Sequence, residues 1–586
     1  FTIYIMSSDF KKVLVKDDRL MVTDSLNYGV FQGGQNVTYV KMPAISVTSN
    51  ALNFVVPFPS EQTVLDREVY LQTTTEYKLT FSKVLPGIAS AGTVGGFSCP
   101  LDYGDTLSLK PFPTHQTFQT IVSQINNNIS TMNVQDVIPA LLRCTDALDW
   151  ERLNLTASQN ARLATFQDER QSLNNSKAGY DYYQGNKVVP NASLPVTVEA
   201  YSDSNFTTEV TTYPQAGLQY FKITVTSVEP LLCQPFIWNK TLCNKAGIYG
   251  LQNLQFTMNY GSEPGRAVIV DDTALGYTSG QGLPTVTVAQ DVKQAELHMK
   301  YITPHTTDII PKRNVIPYLE YPRFITSNLG TVGPATVSTD SGLGVSIVPT
   351  TSQIVSQTFT LNQVPDKLII FVRPASGSAL SPGPTNNNDV ALAISGIRIQ
   401  WNNHTAILAN TTKDQLFHIS QEAGYNSDWQ CWSGVASEKY LVSSGVSSTR
   451  QSDTIGSYLM VDLGKHLELS EPYYAPGSLG SFQIQFNLDV ENWHSSSFTP
   501  EIVMIPVNSG IMVNEKGQTS VFTGILTKKD VLDAGLQEPL ADVHVRRIVG
   551  NGMLDGGKAM PTHIIPGMTR RHMESSSGSA MSSRLM

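Results

Sequence analysis

Enzymes tend to leave recognisable spacings of reactive side chains, and this chain has none of the strong ones. There is no His-Glu-x-x-His to set two imidazoles on one helix face for zinc. There is no Walker loop ending in lysine, and no Gly-x-Ser-x-Gly elbow. What remains is weaker. His404 and His418 share one segment, and surface or helix positions account for them better than a metal does. Asp271-Asp272 could hold a cation, although adjacent loop carboxylates are ordinarily just solvated. Trp429-Gln-Cys-Trp432 is aromatic enough to stack on a sugar, but core or interface packing uses the same residues. The reading is therefore no catalytic group, no cofactor, no metal and no enzyme.

Cysteine chemistry is equally sparse. Cys99, Cys144, Cys233, Cys243 and Cys431 are odd in number and far apart, which describes neither a disulfide scaffold nor a zinc site. Cys233 and Cys243 could bridge a loop; buried free thiols and a reducing compartment are the preferred reading. Asn-x-Ser/Thr sequons run from Asn36 to Asn410, but a chain rich in Asn, Ser and Thr produces several by chance, so they do not decide compartment. Phe1–Ile5 precede Met6-Ser-Ser-Asp-Phe-Lys-Lys, which reads as a translation start, and are too short for a targeting segment.

At 586 residues more than one core-bearing unit is expected. A net charge of −9 with 15% charged residues and no block of one sign argues against a nucleic-acid surface over the body. The 41% hydrophobic content excludes a mainly disordered chain. No apolar run approaches the roughly 18 residues that a membrane-spanning helix needs.

The elements that could position anything are short and β-rich. Pro304, Pro311, Pro317 and Pro322 crowd the middle of the chain, and each removes a backbone donor and disfavours helix before it. Residues 304–324 therefore read as an extended connector. Residues 1–24 read as a polar N-terminal arm, and 25–303 as a first sandwich. Its strands include 37–41, 53–56, 65–72, 77–81, 196–201, 221–226, 255–260 and 285–288. An insertion at about 115–190 carries two expected helices. One has Phe118, Ile121, Val122 and Ile125 at helical spacing; the other begins at Asn133, with Asn133 or Asp136 as N-cap. The polar stretch 150–190 and the Pro/Gly/Asn-rich loop 375–388 are long for plain loops.

Residues 325–526 read as a second sandwich. Leu368–Val372 has the near-continuous apolar text of a strand buried on both faces, and 394–401 follows it. Phe482–Val490 alternates with period two, whereas Pro506 suggests that the strand starting at Glu501 ends there or lies at an edge. Thr412 and Gly424 bracket a short helix. Residues 527–586 are a C-terminal helix and flexible tail. The fold class is all-β: two tandem jelly-roll sandwiches with short helical insertions.

Five stretches then bear on family: Gly33-Gly-Gln-Asn-Val-Thr-Tyr, Pro59-Ser-Glu-Gln-Thr-Val-Leu-Asp-Arg67, Gln234-Pro-Phe-Ile-Trp238, Val364-Pro-Asp-Lys-Leu-Ile-Ile-Phe-Val372 and Ile397-Arg-Ile-Gln-Trp-Asn402. In order along the chain, they resemble landmarks of the double jelly-roll major capsid proteins of virophages and polinton-like viruses. The resemblance implies a structural protein of the virion, assembled in the host cytoplasm or nucleus. It further implies pseudo-hexagonal homotrimers tiling an icosahedral shell around double-stranded DNA, beside penton and minor capsid proteins. Arg570, Arg571 and Arg584 in the tail could then meet packaged DNA. Leu554-Asp-Gly-Gly557 before Lys558, and Ile548-Val-Gly-Asn551 before Gly552, resemble sites cut by adenovirus-type maturation proteases. The competing readings are a glycan-binding or adhesin-like tandem sandwich and, third, a β-rich glycan-active enzyme.

Overall fold

Strand 70–81 (Tyr70–Phe81) shows why the first half folds as it does. Its inward positions, Leu71, Thr73, Thr75, Tyr77, Leu79 and Phe81, are all buried, while the alternate positions face outward. The computed structural model describes residues 36–84, 107–144, 196–270, 284–375 and 390–524 with short breaks inside these ranges, together with Leu101 and the small pair Tyr182–Tyr183 and Asn186–Lys187. One sheet has the order Asn36–Pro43, Val286–Thr303, Tyr70–Phe81, Tyr220–Pro230, Val196–Tyr201, with Val64–Leu65 also paired to Val286–Thr303. The sheet facing it has the order Ser46–Val47, Ala51–Val56, Leu254–Tyr260, Phe118–Ile125, Asn128–Met132.

The second half repeats this plan. Asn314–Glu320, Pro500–Glu515, Lys367–Pro374 and Tyr458–Asp462 form one sheet, with Phe324–Thr326 and Gln518–Thr523 paired to the long strand 500–515. Thr350–Val355, Leu479–Asn492, Ala393–Trp401 and His404–Ile407 form the other, with Phe359–Gln363 beside 479–492. A smaller sheet of Thr336–Asp340, Gly344–Val348, Ser447–Asp453 and Val435–Leu441 adds to this half. Among the described residues no strand of one half pairs with a strand of the other. Strand 367–374 is buried on both faces from Leu368 to Val372, as its unbroken apolar text requires.

Four α-helices are described, besides the single 3-10 turn Pro264–Ala267. α1 (Pro113–Thr117) and α2 (Val134–Cys144) belong to the first half; α3 (Lys413–Glu422) and α4 (Trp429–Ser433) belong to the second. Asn133 directly precedes α2, and its carbonyl accepts from Asp136 and Val137. Pro139 inside α2 has no N–H for the Gln135 carbonyl, and buried Arg266 donates to that carbonyl instead at 3.4 Å. α3 is closed by a capping box of Thr412 and Gln415, and ends where Gly424 takes φ +101°.

Several expectations need correction. Phe118–Ile125 is a strand and not a helix. Ile121, Ser123 and Ile125 point inward at period two, and a register shift at Asn259/Tyr260 brings Phe118 to the same side. That shift imitates helical spacing in the bare sequence. The proline-dense stretch is extended, but Asn314–Glu320 within it is an edge strand, where Pro317 needs no ladder donor on its open side. The strand beginning at Pro500 does not stop at Pro506. That residue faces the break between the neighbours Phe324–Thr326 and Asn314–Glu320, so its missing N–H costs no bond on that side. The arm 1–24, most of 150–190, the loop 376–389 and the tail 527–586 lie outside the described residues.

The cores are less separate than two units would suggest. One apolar cluster runs from the first sandwich into the second, and Val134, Val137, Ile138 and Leu141 of α2 belong to it. A second cluster fills the remaining part of the first sandwich around Tyr77, Leu79, Phe221 and Ile223.

Between these clusters lies a polar belt. Glu229 and His115 are both fully buried, 2.6 Å apart. Glu229 also accepts from Thr114 N at 2.8 Å, His115 N at 3.1 Å and Ser227 Oγ at 3.0 Å. His115 Nε2 accepts from Leu232 N at 3.2 Å, which leaves the ring hydrogen on Nδ1 to donate to the carboxylate. Burial alone would raise the Glu229 pKa; the His115 hydrogen bond and then the two backbone donors outweigh it and hold the carboxyl below its ordinary value. Burial and the Glu229 charge push the Tyr77 and Tyr260 hydroxyls well up, so both stay neutral.

Because the folded pKa of Glu229 lies below the unfolded one (about 4.3), its contribution is complete above that value and fades as pH falls through the folded value. Glu229→Gln puts an amide against the N–H donors and is expected to cost about 3 kcal/mol at pH 7. Urea unfolding at pH 7 and at pH 3.5 checks this: the gap between native and variant should narrow at the lower pH.

Candidate functional site

The residues that could do chemistry are dispersed or enclosed. His404 is exposed on its strand, and His418 lies on α3 with its Nε2 3.3 Å from Glu422. His466 Nε2 also meets Glu422, at 3.0 Å. Two imidazoles and a carboxylate would suit zinc, but His466 Nδ1 accepts from Asp462 N at 3.2 Å, so its Nε2 carries the hydrogen and offers no lone pair. Lys465 Nζ occupies the same carboxylate at 3.2 Å. Among the described residues no group of three or more potential ligands is placed to hold a metal.

Trp432 is fully buried, donates Nε1 to Tyr458 O at 3.3 Å, and packs with Phe417 and Trp429 at ring separations of 5.7 and 6.0 Å. Trp432 is therefore core, whereas Trp429, 36% exposed, stacks against it from the surface side. Cys233 and Cys431 are buried free thiols, and burial pushes the Cys233 thiol far above its ordinary range. Cys99, Cys243 and Asp271-Asp272 lie outside the described residues, as do Asn551, Gly552, Gly557, Lys558, Arg570, Arg571 and Arg584.

The seam between the sandwiches is where the polar residues do converge. Asp136, in the first turn of α2 and only 3% exposed, is shared by Arg323 and Arg373 of the second half. Arg373 also reaches Glu501 at 3.3 Å. Burial, and then the neighbouring Arg373 charge, press the Arg323 pKa below its ordinary value.

Most of the remaining seam contacts are between uncharged groups, with one cation–π contact beside them. Ser130 Oγ donates to Gln234 Oε1 at 2.6 Å, and Tyr318 OH lies 2.9 Å from Ser130 and 3.2 Å from Gln234. Asn126 Nδ2 donates to Thr519 Oγ1 at 2.9 Å, while Thr519 Oγ1 donates to Asn514 at 2.7 Å. Asn314 Nδ2 reaches Gly247 O at 3.2 Å, and Arg143 of α2 lies over the Tyr458 ring at 4.5 Å. The seam makes two sandwiches into one rigid block.

Sequence reasoning named Asp136 only as a possible cap and missed its role. Its partners lie 187 and 237 residues away, and no local pattern spans such distances. Glu229 did leave a signal: it falls in the inward register of Phe221, Ile223, Val225 and Ser227, so a buried partner was required. His494, paired with Asp453 at 2.7 Å, left none. Removing the shared carboxylate while both guanidiniums stay, as in Asp136→Asn, is expected to destabilise the chain by about 3–5 kcal/mol. Chemical denaturation should show it, with amide exchange rising first in α2 and in strand 314–320.

Known proteins share this arrangement. Residues 8–302 match the family model described as the Sputnik virophage major capsid protein 1st domain, and residues 321–510 match the major capsid protein V20 C-terminal domain. Residues 303–320, with Pro304, Pro311 and Pro317, fall between the two matches, and Pro322 lies just inside the second. The putative capsid protein V20 of Sputnik virophage is 25% identical over 553 residues, covering 93% of this chain and 85% of that protein. In the cryo-EM structure of the Sputnik virophage, one chain superposes with a TM-score of 0.70 at 23% identity, covering 92% of this chain and 98% of that one. The mavirus major capsid protein superposes with a TM-score of 0.60 at 13% identity, covering 91% and 99%. The fold is thus the double jelly roll, and the chain belongs to the virophage major capsid protein family, whose members are structural and not catalytic.

Proposed function

We propose that three copies of this chain close into a pseudo-hexagonal homotrimer, and that such trimers tile an icosahedral shell around a double-stranded DNA genome. The observation that carries this reading is the seam. A tile with six similar corners built from three chains needs two similar sandwiches per chain at a fixed mutual angle. Asp136 with Arg323 and Arg373, and the Ser130–Tyr318–Gln234 and Asn126–Thr519–Asn514 relays, support such a fixed angle.

Pentons and minor capsid proteins complete the particle in this reading. Arg570, Arg571 and Arg584 face the genome, and maturation trims the tail between Gly557 and Lys558 or between Asn551 and Gly552. Residues 304–324 join a first unit at 25–303 to a second at 325–526, with strand Asn314–Glu320 of that stretch already seated at the edge of the second unit's sheet.

Light scattering on the purified chain tests the central claim. The expected mass is about three times 64.1 kDa, with hexagonal outlines in negative stain. A 64.1 kDa species at every protein concentration and salt overturns it. Intact-mass measurement on virions tests the trimming, since a chain still ending at Met586 rules it out.

A further inference from the structure

Strand Asn36–Pro43 lies at one end of its sheet and pairs on one side only, with Val286–Thr303. The register runs from Asn36 opposite Thr303 to Pro43 opposite Glu296, and one step further Ala44 N donates to Ala295 O at 2.9 Å. In an antiparallel ladder every second residue exchanges hydrogen bonds with a given neighbour. Ala44 puts the even-numbered residues in the bonding pairs, so Val37, Tyr39 and Lys41 turn their N–H and C=O groups away from strand 286–303. Pro43, next in that outward series, has no N–H to offer. The outward edge is also apolar: Val37 is 40% exposed and Tyr39 is 79% exposed, and among the described residues no strand pairs with it. The equivalent strand of the second half, Asn314–Glu320, is answered on its open side. There Arg67 Nη2 donates to Pro317 O at 3.5 Å, and Tyr318 OH meets Ser130 and Gln234. A long unanswered edge is a template for pairing with other chains.

We propose that the chain covers this edge itself: residues 26–32 fold back through a two-residue turn at Gly33-Gly34 and pair, antiparallel, with the outer side of strand 36–43. Residues 26–32 lie outside the described residues, and three observations point to this segment. The first is contiguity. The segment ends two residues from Gln35, and Gly-Gly supplies the positive φ angles that a tight hairpin turn demands.

The second is hydrogen-bond parity. A two-residue loop makes Gln32 and Gln35 a bonding pair, and with them Val30 and Val37, Tyr28 and Tyr39, and Leu26 and Lys41. These are the residues of strand 36–43 whose backbone groups already face outward. The third is the side-chain face. Val30 extends the cross-strand row Val37, Ile302, Val64, and Tyr28 falls beside Tyr39 in the row that holds Lys300. Pro43 then ends the ladder, since the residue opposite it finds no donor. Capped in this way, the sheet has no free edge there on which another copy could add a strand, and residues 1–25 leave the sandwich beside Lys41 and Pro43.

The inference does not depend on the trimer reading. Residue-resolved amide exchange on the full chain tests it: Val37, Tyr39 and Lys41 are expected to exchange at least tenfold more slowly than in an unstructured chain. Gly33→Val with Gly34→Val cannot take the turn and is expected to lose that protection. Thr38 and Val40, bonded to strand 286–303, are expected to keep theirs in the same variant. Free exchange at Val37, Tyr39 and Lys41 in the native chain, or protection unchanged in the variant, overturns the proposal.

If the glycine variant fails to fold, a cysteine pair decides. Tyr28→Cys with Tyr39→Cys sets two thiols directly opposite each other, about 5.5 Å apart at Cα, and is expected to form a disulfide within one chain on mild oxidation. Asn27→Cys with Tyr39→Cys is one residue out of register and is expected to form none. Peptide mapping distinguishes these links from any made by the chain's own five cysteines. A link between two chains puts a neighbouring copy on the edge and overturns the proposal, as does equal linking by the out-of-register pair.

Discussion

One buried carboxylate organises the relation between the two halves of the molecule. Asp136 would be costly to bury alone, and the guanidiniums of Arg323 and Arg373 would be costly to press together without it. Each half therefore holds a charge arrangement that only the other completes. Apolar residues of α2 belong to the cluster that continues through the same seam, but apolar packing is non-directional. The ion triad and the uncharged hydrogen-bond relays beside it select one angle among those that apolar burial would tolerate.

Inside the first sandwich the same logic is used differently. Thr73, Ser227, Thr114, His115 and Glu229 interrupt the apolar core, separating the cluster around Tyr77 from the one that continues through the seam. A carboxylate with four donors is satisfied wherever it sits, but these donors come from α1 and from strand 220–230. The network pins a short helix to a sheet that it could not otherwise grip. With only five residues, α1 has too few turns to bury a stripe of its own.

Much of this architecture was legible from local chemistry. Period-two text in 482–490, the apolar run 368–372, and Thr412 with Gly424 around α3 each depend on neighbours in sequence, and each appears in the structure as read. The errors share one cause. Phe118–Ile125 looked helical because a register shift displaced one inward residue, and Pro506 looked terminal because the break in the neighbouring strands is invisible from its own strand. Both are facts about pairing partners more than a hundred residues away. The seam was illegible for the same reason: a lone Asp three residues into a helix reads as a cap until its arginines are seen.

The absence of charge on the outer face of strands 118–125 and 254–260 belongs in the same account. Charges in this chain are placed with care, in pairs such as Lys222–Glu199 outside and in the Asp136 triad inside. A sheet face that neither burial nor pairing explains, yet which lacks Lys, Arg, Asp and Glu throughout, is left without the usual guard against association. Sequences under no constraint to associate acquire such charges at little cost in stability. Within the chain the seam uses both devices, amides and hydroxyls at Asn126, Ser130, Tyr318 and Thr519 and the buried Asp136 triad beside them, so charge is kept where a partner answers it.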